Sequence, residues 1–388
     1  MRIFHISDLH IGKQLHYYNL KESQIEILSK IIDKAKEYRP DVILIAGDIY
    51  DKSVPSGEAY EILDGFLRQL AQLQPSIPVL IIAGNHDSGQ RLKFASAFLE
   101  KSRIYISVFP PQNKEEHLKK IILTDQYGPV NFYLLPFTRP GYVKHLFKEG
   151  ESADYHHAVK SVIERETINE KERNVLVAHQ FFVSGKEEPQ TCDSELAFIS
   201  VGGIDSVDVE CVRMFDYVAL GHLHGAQSVG EAYIRYSGTP LKYSVSEEKH
   251  QKGITMITLG AKNTPIQYEQ IPLQASRDVR SITGTLEEVI SMAGERNPDD
   301  YVSITLTDED SIYRPGDQLE EYYAHILEVR IDNKRTRSRL AEPTNESELV
   351  LGPFEVFREF YQAINDQPLS EEEAEVLAEI ISGVKNSP

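Results

Sequence analysis

Five short segments carry the residue types from which hydrolytic metal chemistry is built. They are Asp8-Leu9-His10, Gly47-Asp48-Ile49-Tyr50-Asp51, Gly84-Asn85-His86-Asp87, Ala178-His179-Gln180 and Gly221-His222-Leu223-His224. Carboxylate, amide oxygen and imidazole nitrogen, with no thiolate among them, suit hard or borderline divalent ions: Mn2+ first, with Mg2+, Fe2+ or Zn2+ also compatible. His222 and His224 stand one residue apart in an extended loop, so their rings point in different directions and each can serve a separate ion. Glycines ahead of Asp48, Asn85 and His222 let the backbone turn sharply beside such ions. Each segment alone has an ordinary explanation, because Gly-Asp after a strand is commonly a turn and a lone histidine is commonly just hydrogen-bonded. Turn chemistry does not explain all five in this order.

Each segment directly follows a short apolar run that reads as a strand. These runs cover residues 2–7, 42–46, 79–83, 174–178 and 217–220, with a further one at 131–135. Between them lie amphipathic helices, one carrying Ile25, Leu28, Ile31, Ile32 and Ala35, another Ile62, Phe66, Leu67 and Leu70 with Ser56 as its N-cap. The alternation predicts an α/β domain, and in such sheets the loops after the carboxyl ends of strands converge on one edge. Five ligand-bearing loops would therefore meet although the chain spreads them widely. A late strand is expected at 254–259. From about residue 273 the texture changes to strands at 279–284, 301–307 and 327–331 with helices at 286–293 and 318–323, a small α+β unit. Residues 332–343 read as a polar linker. In the tail, Phe354, Phe357, Phe360, Tyr361 and Ile364 share one helical face. Ser370 and Glu373 then have capping-box spacing ahead of Val376, Leu377, Ile380 and Ile381.

Composition sets the outer bounds. A chain of 388 residues can hold two or three domains, and 41% hydrophobic with 26% charged residues is ordinary for a globular protein. No apolar run approaches the ~20 residues of a membrane span, and the opening MRIFHISDLH lacks a secretion signal, so a cytoplasmic protein is expected. Cys192 and Cys211 have neither disulfide-framework nor metal-site spacing and read as reduced thiols. The net charge of −19 opposes nonspecific coating of a polyanion, but residues 341–388 alone hold 11 Asp/Glu against 2 Lys/Arg. His156-His157 read as solvated residues of an irregular polar stretch.

The order D-x-H, G-D, G-N-H-D, H, G-H-x-H resembles the signature of the calcineurin-like metallophosphoesterases over roughly residues 1–260. The opening MRIFHISDLHIGK, the segment GDIYDKSVPS, the phrase YSGTPLKYS after GHLH and the aromatic helix near the end are similar to the SbcD-type nuclease subunits within that family. The resemblance implies a four-layer αββα sandwich over residues 1–272, a small α+β unit capping the DNA at 273–340, and a C-terminal helical pair at 341–388 that docks an ATPase partner. It implies one ion on Asp8, His10, Asp48 and His224, a second on Asp48, Asn85, His179 and His222, and Asp48 bridging the two. His86 would act on the scissile phosphate or leaving oxygen, with Asp87 as a partner for its ring. The relatives' histidine at the position of Asp51 is absent, so its role does not carry over.

The implied activity is two-metal hydrolysis of DNA, as a double-strand 3'-5' exonuclease and a single-strand and hairpin endonuclease in repair and recombination. The implied partners are DNA and an SbcC-type coiled-coil ATPase, with the chain as a homodimer inside a heterotetramer. The chain has no Walker-type motif of its own, which fits an ATPase on another chain. Lys13, Tyr17, Arg91 and Lys242 are candidate DNA contacts, and Phe354, Phe357, Phe360 and Tyr361 the candidate docking face. Two other readings share parts of this sequence: a small-molecule phosphodiesterase or protein phosphatase on the same catalytic domain, and a scaffold that uses the fold without catalysis.

Overall fold

The structure is a computed structural model describing residues 1–147, 154–185, 189–196, 205–310, 312–334 and 336–337. In the tail it describes 354, 357, 358, 361, 369, 370, 373, 374, 376–378 and 381. The strand Val42–Ala46 shows how the main architecture arises. Its sequence Val-Ile-Leu-Ile-Ala is apolar throughout and every side chain is buried, the pattern of a strand covered on both faces. Val42, Leu44 and Ala46 join Ile3, Leu80 and Ile82 in a layer shared with Val130, Phe132, Leu134, Val175 and Val177 of a second sheet. Ile43 and Ile45 point the other way, into a core with Ile27, Ile31, Ile62 and Phe66 of the helices Lys21–Tyr38 and Gly57–Ala71. On the far side Leu176, Ala178, Val218 and Leu220 pack against Ala158, Val159 and Val162 of the helix Tyr155–Ile163. Helix, sheet, sheet and helix make four layers, as expected.

The first sheet runs in the order Gln267–Pro272, Gly253–Thr258, Arg2–Ile6, Val42–Ala46, Val79–Ile82, Ile104–Ser107; the last four are mutually parallel. The second runs Gln227–Val229, Glu231–Tyr236, Tyr217–Gly221, Arg173–His179, Gly128–Leu135, Lys119–Asp125, with the middle four parallel. The edge strands Ile104–Ser107, Lys119–Asp125, Gln227–Val229 and Gln267–Pro272, and Glu231–Tyr236 next to an edge, were not predicted. Lys119–Asp125 alternates half-buried and exposed positions with polar residues on both, and Glu231–Tyr236 places Glu231 and Arg235 on its half-buried face, which blurs the apolar signal.

Residues after 278 form a third sheet of three parallel strands, Val279–Gly284, Tyr301–Leu306 and His325–Ile331. Ile282, Val289, Val302, Ile304, Leu306, Leu319 and Tyr323 make its own core. Its second helix is Pro315–Leu319 rather than 318–323, because Pro315 supplies a pre-set first turn. The Tyr17 and Tyr18 hydroxyls donate to the carbonyls of Leu327 and Ile326, each at 3.2 Å, joining this sheet to the sandwich. His156 and His157 lie on the helix Tyr155–Ile163, half-buried rather than in an irregular solvated stretch; the Asp154 side chain caps that helix by accepting from His157 N.

The chain divides into two compact units, Met1–Ile331 and Asp332–Pro388. In the second, Ser370 and Glu373 make both halves of a capping box, at 2.9 and 3.3 Å, and the Tyr361 hydroxyl donates to Glu373 at 2.9 Å. Phe354 is half-buried and Phe357 is 44% exposed, while Phe360, Ile364 and Ile380 lie outside the described residues. Among the described residues no helix is long and apolar enough to cross a membrane.

His5 sits between the two large sheets, fully buried. Its Nε2–H donates to the Leu220 carbonyl at 3.1 Å and its Nδ1 accepts the Tyr217 hydroxyl at 2.7 Å. Burial pushes its pKa down to about 3. The unfolded chain takes up a proton near pH 6.5 that the folded chain refuses, so stability falls as pH drops from about 6.5 toward 3. Between pH 7 and pH 5, urea titrations should show the parent losing about 2 kcal/mol more than His5→Gln; equal losses would place the acid sensitivity elsewhere.

Candidate metal centre

The sequence motifs meet because Arg2–Ile6, Val42–Ala46, Val79–Ile82, Arg173–His179 and Tyr217–Gly221 all end on the same edge of the sandwich. The first two loops are stitched together: Asp8 N donates to Gly47 O and His10 N to Asp48 O, both at 3.0 Å. Asp8, His10, Asp48 and His222 all have positive φ, at 53°, 42°, 48° and 105°, a conformation that costs non-glycine residues energy and persists only where neighbours enforce it. Gly84 is required for a different reason. A Cβ there would lie 2.1 Å from Asp48 Oδ1, so only glycine lets this loop approach the carboxylate. The expectation of sharp turns at these glycines holds for Gly47, with φ of +90°; at Gly84 the need is close approach.

Seven of the predicted side chains converge. His179 Nε2 lies 3.3 Å from Asp48 Oδ2 and 3.0 Å from Asn85 Oδ1, and His222 Nδ1 lies 3.1 Å from that same amide oxygen. His10 Nε2 is 3.2 Å from His224 Nε2 and 3.8 Å from Asp48 Oδ2. Both oxygens of Asp8 accept from His222 N, at 3.0 and 3.1 Å, and one also accepts from the Ser7 hydroxyl. Among the described residues four groups of three offer ligand atoms within 4.8 Å of one another: Asp8, His10 and His224; Asp8, Asp48 and His179; His10, Asp48 and His86; and Cys192, Glu195 and His224. Of the seven converging side chains, all but Asn85 are buried.

The donor set fits cations. The Ala46 carbonyl, 2.7 Å from His179 Nδ1, can only accept, so that nitrogen carries the hydrogen and Nε2 of the neutral ring is a lone pair. It faces two further acceptors, the oxygens of Asn85 and Asp48. Lone pairs from three groups cannot share a dry pocket unless a positive charge lies among them. The titration behaviour reports the same need. Burial opposes a charge on His179, yet Asp48 and Asp8 hold its pKa up at about 9. Burial, reinforced by the charge of Asp48, pushes Asp8 up to about 6. Burial also drives His10 well below its ordinary value and takes His222 down to about 3, leaving both as neutral ligand-type nitrogens. Burial raises the pKa of Asp48, but His179, His86 and His10 outweigh it and hold the carboxyl well below the usual range.

Residues 1–226 match the calcineurin-like phosphoesterase family, and residues 275–365 match a family described as the type 5 capsule protein repressor C-terminal domain. The SbcD component of the SbcCD nuclease of Staphylococcus epidermidis is 31% identical over 388 residues, covering 98% of each chain. The chain belongs to the calcineurin-like phosphoesterases, among the SbcD-type nuclease subunits. A dimetal phosphatase from Danio rerio is 12% identical with a TM-score of 0.39, covering 71% of this chain and 99% of its own. GAP50, the anchor in the inner membrane complex of Plasmodium, is 15% identical with a TM-score of 0.39, covering 71% and 89%.

Beside the pocket, His86 Nδ1 donates to the Asp51 carbonyl at 2.7 Å, and its backbone N–H holds Asp48 Oδ1 at 2.9 Å. Asp87 corrects an expectation. Its two carboxylate oxygens accept from the backbone N–H groups of Gly84, Ile49 and Tyr50 at 2.8, 3.1 and 2.9 Å, bracing two loops, while the His86 ring, for which Asp87 was expected as a partner, bonds through Nδ1 to the Asp51 carbonyl. The Asp51 carboxylate pairs with Lys13 at 2.9 Å.

Of the candidate DNA contacts, Lys13 lines a cleft of about 790 Å³ together with His86. Tyr17 is 72% exposed but spends its hydroxyl on Leu327, and Arg91 is exposed and does not line the cleft. Lys242 lines a different cavity and is bound to Asp278 at 2.7 Å and the Glu248 carbonyl at 2.6 Å.

Sequence reasoning missed Ser194, Glu195, Glu247 and Lys252, which surround His224. Ser194 and Glu195 lie in the short helix Asp193–Leu196, Glu247 ends the helical turn Val245–Glu247 and Lys252 precedes a strand; in such polar segments a charged or hydroxyl residue is the common case, and only folding reveals their burial. Cys192, read as a plain thiol, donates to Glu195 Oε1 at 3.2 Å, and its burial raises its pKa. Gly84→Ala should displace Asp48 and weaken divalent-cation uptake at least ~10-fold in calorimetric titration. Gly65→Ala, where a Cβ meets nothing within 4 Å in the helix Gly57–Ala71, should keep uptake and add about 0.5–1 kcal/mol of stability.

Proposed function

We propose that the chain is the nuclease subunit of a DNA end-processing complex, hydrolysing phosphodiesters with two divalent cations, Mn2+ by preference. The observation that carries this reading is the convergence of lone pairs on the edge shared by both sheets. One cation would be held by Asp8, His10, Asp48 and His224, the other by Asp48, Asn85, His179 and His222, with Asp48 common to both. Bound there, the ions supply positive charge for phosphate oxygens and lower the pKa of water.

The chain's own groups do the rest. His86 stands at the cleft wall, its ring oriented through Nδ1 by the Asp51 carbonyl, and Nε2 is 3.8 Å from Asp48 Oδ2. From there it can position the scissile phosphate or protonate the leaving oxygen. Asp87 supports this arrangement by fixing the loops that carry Asp48 and His86. Lys13, Lys52 and Arg139 line the cleft with Phe109, Phe137 and Tyr142, a mixture of cations for the backbone and aromatic faces for unstacked bases. Substrates would be duplex ends, degraded from 3' to 5', and single-stranded or hairpin DNA cut internally.

We assign the small sheet over 273–340 as the cap that selects the DNA form, and residues 341–388 as the segment docking an SbcC-type ATPase, in a heterotetramer built on a dimer of this chain. The protein would act in the cytoplasm, in repair, recombination and replication. His86→Ala should retain both Mn2+ ions by calorimetry while cleavage of hairpin and blunt duplex DNA falls by ~100-fold or more; loss of an ion instead would make His86 a ligand. Cleavage of model phosphodiesters with DNA left intact under all metal and partner conditions would favour a small-molecule phosphoesterase. Removing residues 345–388 should leave a folded catalytic unit that no longer co-purifies with the ATPase.

A further inference from the structure

Glu247, which none of the sequence motifs includes, is fully buried beside the pocket. Its Oε1 lies 3.2 Å from His224 Nδ1 and accepts from the Ser194 hydroxyl at 2.9 Å and Tyr243 N at 3.2 Å. Its Oε2 accepts from Lys252 Nζ at 2.5 Å and the Thr239 hydroxyl at 3.2 Å. Lys252 is itself buried, and it donates to the His224 carbonyl at 2.9 Å. The ion pair thus grips one histidine twice, Glu247 at the ring and Lys252 at the backbone. A buried ion pair is weak evidence for stability, since desolvation can cancel its attraction, so its placement calls for another reason.

Hydrogen-bond chemistry supplies it. An ionised carboxylate only accepts, and the Ser194 hydroxyl, 2.8 Å from Nδ1, gives its own hydrogen to Glu247. Both neighbours of Nδ1 are therefore acceptors, and Nδ1 must carry the ring hydrogen. Nε2 is left as a bare lone pair aimed at His10 and the pocket. We propose that Glu247 is a positioning residue for the cation pocket, fixing the His224 tautomer and the aim of Nε2, with Lys252 holding the carboxylate in place. The inference rests on the two-cation reading of the pocket. A carboxylate behind a ligating imidazole makes the ring a more basic ligand, and loss of such a partner typically lowers metal affinity 10–100-fold.

Long-range proton–nitrogen correlation on the full chain, histidine-labelled and metal-free, should show His224 protonated at Nδ1; protonation at Nε2 would overturn the proposal. In calorimetric Mn2+ titration the parent should take up two ions. Glu247→Gln, whose amide can donate to Nδ1 and stabilise the opposite tautomer, should weaken one of them by roughly 10–100-fold. Glu247→Asp should recover part of that loss. Two ions bound by Glu247→Gln with parental affinity would reject the role of Glu247. A parent that binds no ion would reject the two-cation reading itself. If Glu247→Gln does not fold, the tautomer of the parent decides.

Discussion

Everything at the open edge of the sandwich answers one electrostatic demand: acceptor atoms gathered in a dry pocket need positive charge between them. His179 shows it most directly. Its Nδ1 hydrogen is committed to Ala46, so Nε2 meets the oxygens of Asn85 and Asp48 with a lone pair of its own. Without a cation, a proton on His179 answers the demand, which is why its pKa rises although it is fully buried. The backbone bears the cost of the crowding. Four of the converging residues hold positive φ; hydrogen bonds between the Asp8–His10 and Gly47–Ile49 segments keep three of them there, and the Asp8 carboxylate, accepting from His222 N, holds the fourth. Such a site cannot relax by turning outward, because its strands are sealed on both faces by the inter-sheet layer and the helices.

The same sealing explains what the sequence revealed. Central strands buried on both faces write themselves as continuous apolar runs, and the polar residues that end each run stand out by contrast. Hence Asp8, Asp48, Asn85, His179 and His222 could be placed on one edge from their positions after strands alone. The outer strands were less legible because their partly exposed faces carry lysine, glutamate and arginine. The supporting shell was not legible at all. Ser194 lies more than fifty residues before Glu247 and Lys252, and nothing local marks a buried acid in Ser-Glu-Glu-Lys as different from a solvated one. Asp87 illustrates the converse, since adjacency to His86 suggested a ring partner while the turn geometry sent its carboxylate to three backbone donors.

The net charge of −19 looks adverse for binding a polyanion, but it is a total over the whole chain, whereas a ligand at the pocket meets the charges that line it. At physiological ionic strength charges separated by more than about 8 Å across solvent are largely screened. Much of the acidic surplus lies in residues 341–388, outside the segments that carry the motifs. Inside the pocket screening is weak, and Asp8 and Asp48 supply only two negative charges, which the two divalent cations proposed for this site would outweigh. The cleft wall adds Lys52 and Arg139, with Lys13 paired to the Asp51 carboxylate, while Asp87 is turned inward onto backbone N–H groups. Local sign, rather than the total, governs which ligand enters.

The pocket is also tied to the small third sheet by a very short stretch of chain. Asp8 and His10 lead within a few residues to the hairpin of Gln14–Leu15 and Tyr18–Asn19, whose tyrosine hydroxyls hold the carbonyls of Leu327 and Ile326. Gln24, one turn into the following helix, donates to the His10 carbonyl at 2.7 Å and fixes the other end of that loop. His10 is therefore pinned between a helix anchored in the sandwich core and a hairpin anchored on the third sheet. Two hydrogen bonds to main-chain carbonyls are sensitive to the position of the third sheet and indifferent to its side chains. Any displacement of the third sheet would thus act on His10 through geometry alone, which links the position of that sheet to the aim of an imidazole at the pocket.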